Sequence, residues 1–269
     1  MKPQYRTFFG LNREPFTAEI KPEEILKTDE VLSVADRFDY ALRIGAIAVV
    51  TGEVGSGKST ALRWATSRLH PSEYFLLWVT ASSGSILELY RQVCSGLDLY
   101  TASGSRAVLT RTIRRQVLEM ATTQKRKPVL IIDEANLLRI EVFAELHTLS
   151  QFQADSQALL PMILAGQNNL IDHLLYRTSQ PLASRVVARS HLEGASREQM
   201  EAYLAHHLSI AGIKQPLFSE AAVTAIHQGS GGLFRRANHL ARGAMIAAAH
   251  EKCQQIAAEH VRIASTELI

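Results

Sequence analysis

Residues 46–59 read AIAVVTGEVGSGKS, and the architecture follows from this stretch. Ala46 to Thr51 is a short apolar run with β-branched residues, the composition of a strand buried on both faces. It ends in a turn containing three glycines, after which Lys58 to Leu69 has the apolar spacing of a helix. Strand, glycine-rich turn and helix, in that order, are the setting in which GxxxxGK[ST] has a physical meaning. The glycines let backbone N–H groups turn inward on a phosphate, and the helix points its positive end at the same place. Gly52, Glu53, Val54, Gly55, Ser56, Gly57, Lys58, Ser59 and Thr60 are therefore the expected phosphate cradle. Lys58 is placed to reach the β- and γ-phosphates, and the Ser59 hydroxyl to ligate Mg²⁺.

Working outward, Tyr74 to Thr80, Val129 to Asp133, Leu159 to Ala165 and Val186 to Leu192 repeat the pattern of a buried strand. Helical periods separate them at Ser85 to Leu97, Ala107 to Thr122 and Ile140 to Phe152. Strands alternating with helices predict an α/β fold, a parallel sheet with helices on both faces. The run VLIID over 129–133 then delivers Asp133 and Glu134 to the C-terminal edge of that sheet, where open α/β sheets bind ligands. Asp133 is read as holding Mg²⁺ through water, and Glu134 as orienting and polarising an attacking water.

Past Glu193 the strand candidates stop. Ser196 to Ala211, Ser219 to His227, Leu233 to His250 and Ala257 to Thr266 all read as helices, and Ser196 with Gln199 three residues on has the form of a capping box. The expected organisation is an N-terminal arm over 1–27, an α/β nucleotide-binding domain over 28–192 and a small all-helical lid over 193–269. The arm, with Pro3, Pro15, Pro22 and several aromatics, reads as extended chain packed on the sheet domain.

Composition adds limits. The 269 residues are 46% hydrophobic and 20% charged, with a formal net charge of +3, which permits an acidic partner without requiring one. Cys94 and Cys253 show no CxxC or His/Cys ligand spacing, and the ten histidines show none either, so no metal site is expected from them. Met1 to Gly10 lacks the apolar core of a signal peptide and no run approaches the length of a membrane span, so a cytoplasmic protein without membrane contact is expected. Arg111, Arg114 and Arg115 fall at i, i+3 and i+4 of a predicted helix, with Lys125 beyond it. That face suits a phosphate backbone, and it equally describes a solvated helix surface.

These residues resemble the AAA+ superfamily over nearly the whole chain. More narrowly, residues 9–16 (FGLNREPF), the P-loop, Asp133-Glu134-Ala135 with Leu137-Leu138, Ile163 to Gln167, and Gly231-Gly232 with Arg235 and Asn238 resemble the ExeA-like branch. That branch includes secretion-associated ATPases and is similar to transposon target-selection ATPases of the MuB and TnsC type. The resemblance implies ATP and Mg²⁺ as ligands, hydrolysis of ATP to ADP and phosphate, and assembly into a ring or helical filament of identical subunits. It implies a γ-phosphate sensor at Gln167 and an N-terminal aromatic segment beside the adenine. An arginine finger offered to the neighbouring subunit falls on Arg185, with Arg189 as the other match. A second sensor arginine falls on Arg235, although Phe234 stands where such proteins commonly have Pro. Two functions follow from the resemblance. One is an ATP-dependent regulator that assembles on double-stranded DNA and recruits a transposase or integrase. The other is an ATPase assisting assembly of a secretion apparatus, whose relatives usually continue into a membrane helix and a cell-wall-binding domain. The basic helix and the end of the chain at Ile269 lead to the first as the expectation.

Overall fold

The computed structural model describes residues 4–82, 85–100, 102–153 and 155–266; Pro3 of the N-terminal arm lies outside them. The chain divides into two compact units, one comprising 29–52 and 58–192, the other 1–28, 53–57 and 193–269.

The first unit is an α/β layer. After helix α2 (Asp29–Ile44) come β1 (Ile47–Gly52), α3 (Lys58–Ser67), β2 (Tyr74–Thr80), α4 (Ile86–Gly96), α5 (Arg106–Thr122) and β3 (Lys127–Asp133). There follow α6 (Ile140–Ser150), β4 (Met162–Gly166), α7 (Asn169–Leu175), α8 (Gln180–Ala183) and β5 (Val186–Leu192). The strands lie in the order β2-β3-β4-β1-β5, all parallel, with β1 flanked on both sides and buried throughout. Side chains alternate across the sheet. Ile47 and Val49 share one core with Leu130, Ile132, Met162, Leu164 and the apolar faces of α4, α5 and α6. Ala48, Val50, Ile131, Ile163 and Ala165 are buried on the opposite face, where α2 and α3 pack against β1 and β4. The parallel sheet with helices on both faces is thus present.

Helix α2 was not anticipated from the sequence, although Val31, Val34, Ala35, Phe38, Ala41 and Leu42 are all buried at helical spacing along it.

The second unit is helical: α1 (Gln4–Phe9), α9 (Arg197–Ile210), α10 (Glu220–Ser230), α11 (Phe234–His250) and α12 (Ala258–Ser265). The capping box at the start of α9 forms as expected, with Gln199 N–H donating to Ser196 Oγ at 3.2 Å and Ser196 N–H to Gln199 Oε1 at 2.8 Å. The N-terminal segment departs from the expected extended arm on the sheet. It opens with α1, and Tyr5, Phe9, Leu11 and Phe16 join the core made by α9 to α12. Phe16, 1% exposed, stacks on His207 of α9 at 5.4 Å, Asn12 N–H donates to Ala211 O at 2.9 Å, and His206 Nε2 lies 2.6 Å from Glu24 O. Burying four large apolar side chains in the helical core outweighs anything an extended strand of such residues gains in water.

Candidate nucleotide site

The turn that leaves β1 has the backbone its glycines permit. Gly55 and Gly57 take φ of 88° and 98°, in the region other residues enter only at a cost. A Cβ on Gly55 would also lie 2.8 Å from Arg235 Cβ, and Arg235 N–H donates to Gly55 O at 3.4 Å. Phe234, in place of the Pro expected there, leaves room for the turn: a Cβ on Gly57 would meet its ring at 3.5 Å. The Phe234 ring also packs on Tyr203 at 4.5 Å.

Lys58, at the first position of α3, is 6% exposed, and its ammonium donates to Gly52 O at 2.8 Å. A buried ammonium held at the end of β1 suits an anion. Ser59 Oγ donates to Asp133 Oδ2 at 2.9 Å. That bond brings the two motifs of the sequence together, hydroxyl to carboxylate, as a pair of oxygen donors that suits Mg²⁺. These residues fit the ion and the phosphates that the resemblance implies: Ser59 and Asp133 would hold Mg²⁺, and the bound ion would supply positive charge to the phosphate oxygens.

Glu134 adopts φ 53°, ψ 33°, left-handed backbone that costs a non-glycine residue roughly 1–3 kcal/mol. Its N–H donates to Asp133 Oδ1 at 2.9 Å, so the same carboxylate that faces Ser59 also sets the bend presenting Glu134. Strain retained at a carboxylate on the C-terminal sheet edge suits a residue that must aim at a water.

Gln167 follows β4. Asn136, absent from the expected set, is 5% exposed, and its Oδ1 accepts from Gln167 N–H at 3.0 Å. A Cβ at Gly166 would fall 2.5 Å from that same oxygen. One buried amide therefore joins the turn bearing Glu134 to the loop bearing Gln167. The available signal was a polar residue set in the apolar stretch Ala135 to Leu138.

Arg185 lies elsewhere. Its carbonyl accepts from Ile47 N–H at 3.1 Å, at the start of β1, whereas Gly52 lies at the other end of that six-residue strand, about 17 Å away. Arg189 is exposed on edge strand β5.

The basic helix is less uniform than its spacing implies. Arg114 donates to Gln151 O and sits over the Phe152 ring at 5.4 Å, so it belongs to the packing of α5. Arg111, Arg115 and Lys125 are exposed. Among the described residues no helix is long and apolar enough to cross a membrane. Glu251, Cys253 and His260 do come together at a spacing a metal ion could span, although the sequence shows no CxxC or His/Cys ligand spacing there. His260 Nδ1 however accepts from Ala257 N–H at 2.9 Å, which makes Nε2 the protonated nitrogen of the neutral ring, directed at Glu251, and leaves no lone pair for a metal.

Residues 44–175 match the family model described as AAA domain. The chain is 30% identical, over 98% of its length, to general secretion pathway protein A of Aeromonas hydrophila, and spans 48% of that protein. It is 26% identical over 92% of its length to the ATP-dependent target DNA activator B of Escherichia phage Mu, spanning 74% of it. Cdc6p of Pyrobaculum aerophilum has a similar fold, with a TM-score of 0.74 at 15% identity, over 94% of this chain and 70% of that one.

Proposed function

Residues 44–175 match an AAA domain, and from that premise we propose that the chain hydrolyses ATP with Mg²⁺ at sites shared between copies and, in its ATP-bound form, holds duplex DNA for a transposase or integrase. The hydrogen bond between Ser59 and Asp133 carries the ATPase reading, because it unites a phosphate cradle and an acidic strand end that are far apart in sequence. Gly52 to Thr60 cradle the phosphates, Lys58 neutralises β- and γ-oxygens, and Arg235 is the second sensor arginine. Glu134 takes up the proton as water attacks the γ-phosphorus, and the bond to the bridging oxygen breaks to give ADP and phosphate. Gln167, held through Asn136, registers the γ-phosphate.

Arg185 supplies its charge to the site of a neighbouring copy. Its distance from Gly52 along β1 supports action in trans. Separately, the exposed Arg111, Arg115 and Lys125 support contact with a phosphate backbone. The secretion reading has its own support in the higher identity to the Aeromonas protein. Neighbouring genes encoding a transposase or a secretion apparatus discriminate the two.

Subunit mixing tests the shared site. Arg185→Ala and Glu134→Gln each lose turnover while keeping ATP binding. Mixed in equal amounts, about a quarter of interfaces pair an intact Glu134 with an intact Arg185, and turnover should recover to about that fraction of wild type. Failure to recover at any ratio counts against sharing.

A further inference from the structure

Arg185 is fixed before any partner arrives. Its N–H donates to Leu182 O at 3.0 Å and its carbonyl accepts from Ile47 N–H at 3.1 Å, so the base of the side chain is held on both sides. At the other end, Nη2 donates to Asp155 Oδ1 and the two groups form an ion pair. Asp155, with φ of 70°, lies between Phe152 and Gln157 in the chain, which form an antiparallel bridge.

Stability does not account for this pair. The arginine side chain is 25% exposed and the carboxylate 46%, and pairs open to solvent contribute about 0–1 kcal/mol. Direction does account for it. An arginine fork offers five N–H donors in one plane, and a carboxylate that holds the Nη2 corner fixes how the remainder of the plane leaves the surface. A long side chain that is aimed beforehand does not lose its rotamer freedom in the transition state.

We infer that Asp155 is a positioning residue for the reaction in the neighbouring subunit, orienting Arg185 toward phosphate bound by another copy. The inference rests on the reading of Arg185 as acting in trans. His147 lies beside the pair; burial, reinforced by Arg185, lowers its pKa below the ordinary histidine value, so it adds no second cation to compete for Asp155.

Asp155→Gly tests it, because glycine accepts the positive φ and removes the side chain that carries the carboxylate. The expected result is a kcat lower by roughly ten- to a hundred-fold, with affinity for a non-hydrolysable ATP analogue and assembly by sedimentation velocity both at wild-type values. Asp155→Asn, which tolerates the same backbone and keeps a neutral acceptor, should recover part of the loss. Mixing adds a readout that a general structural defect would not move. Asp155→Gly subunits should regain turnover with Glu134→Gln subunits and none with Arg185→Ala subunits, since the first mixture contains intact arginine-side residues and the second contains none. Wild-type or raised kcat in Asp155→Gly overturns the inference, as does recovery with Arg185→Ala or failure to recover with Glu134→Gln. Full turnover in Arg185→Ala alone removes the premise itself, which separates the two failures.

Discussion

At the scale of single residues, the proposed mechanism gives binding to Lys58 and chemistry to Glu134. Lys58→Ala removes a buried cation from the phosphate turn, and ATP affinity measured by titration calorimetry should fall by at least about a hundred-fold, in line with the loss of a strong charge-assisted contact. Glu134→Gln keeps the shape and removes the proton acceptor, so ATP should bind as in wild type while steady-state turnover falls by on the order of a hundred-fold or more. Wild-type-like hydrolysis in Glu134→Gln removes that residue from the mechanism. The placement of both was legible in the sequence because it is local: Lys58 sits inside an eight-residue motif, and Asp133-Glu134 ends an apolar run. Asn136 and Asp155 were not legible. Each acts on a residue some thirty positions away in the chain, Gln167 and Arg185, and only the fold brings those partners together. The same limit explains Arg114, whose spacing on α5 is right for an exposed basic face but whose guanidinium the Phe152 ring and the Gln151 carbonyl engage.

Among the elements, α9 carries a testable electrostatic feature. His207 is 7% exposed, and burial first, then the nearby His206 and Arg13, depresses its pKa to about 4. The unfolded chain protonates this group near its ordinary value, about 6.5. Between those values the unfolded state binds more protons, so stability is complete above about pH 6.5 and declines as pH falls toward 4, by on the order of 3 kcal/mol in all. Urea unfolding across that range should show the decline in wild type and a shallower one in His207→Phe, an aromatic of similar size that keeps the stack on Phe16; equal slopes in the two proteins would falsify this assignment. At the start of the same helix, Ser196→Ala removes the cap to Gln199 N–H and should lower stability by about 1 kcal/mol. That cap was readable because Ser and Gln stand at the required spacing. The burial of α1 was not, since the aromatics of residues 4–16 are equally suited to a strand until the apolar surface of α9 to α12 is known.

For the whole molecule the central claim is that nucleotide state governs a hold on DNA. If ATP at each interface orders the copies that jointly present Arg111, Arg115 and Lys125, affinity for duplex DNA should depend on the nucleotide and not on sequence, because phosphates carry no sequence information. Contacts of this kind release counterions, so log affinity should fall steeply and linearly with log salt. Replacing any one of the three by Ala should reduce the slope by about one unit per subunit engaged. The direct measurement is titration of a labelled duplex at several salt concentrations with a non-hydrolysable ATP analogue, with ADP and with no nucleotide. The account predicts tight, salt-sensitive binding with the analogue and weak binding in the other two states. No binding with the analogue at low salt would contradict it and leave the secretion-type ATPase as the better reading.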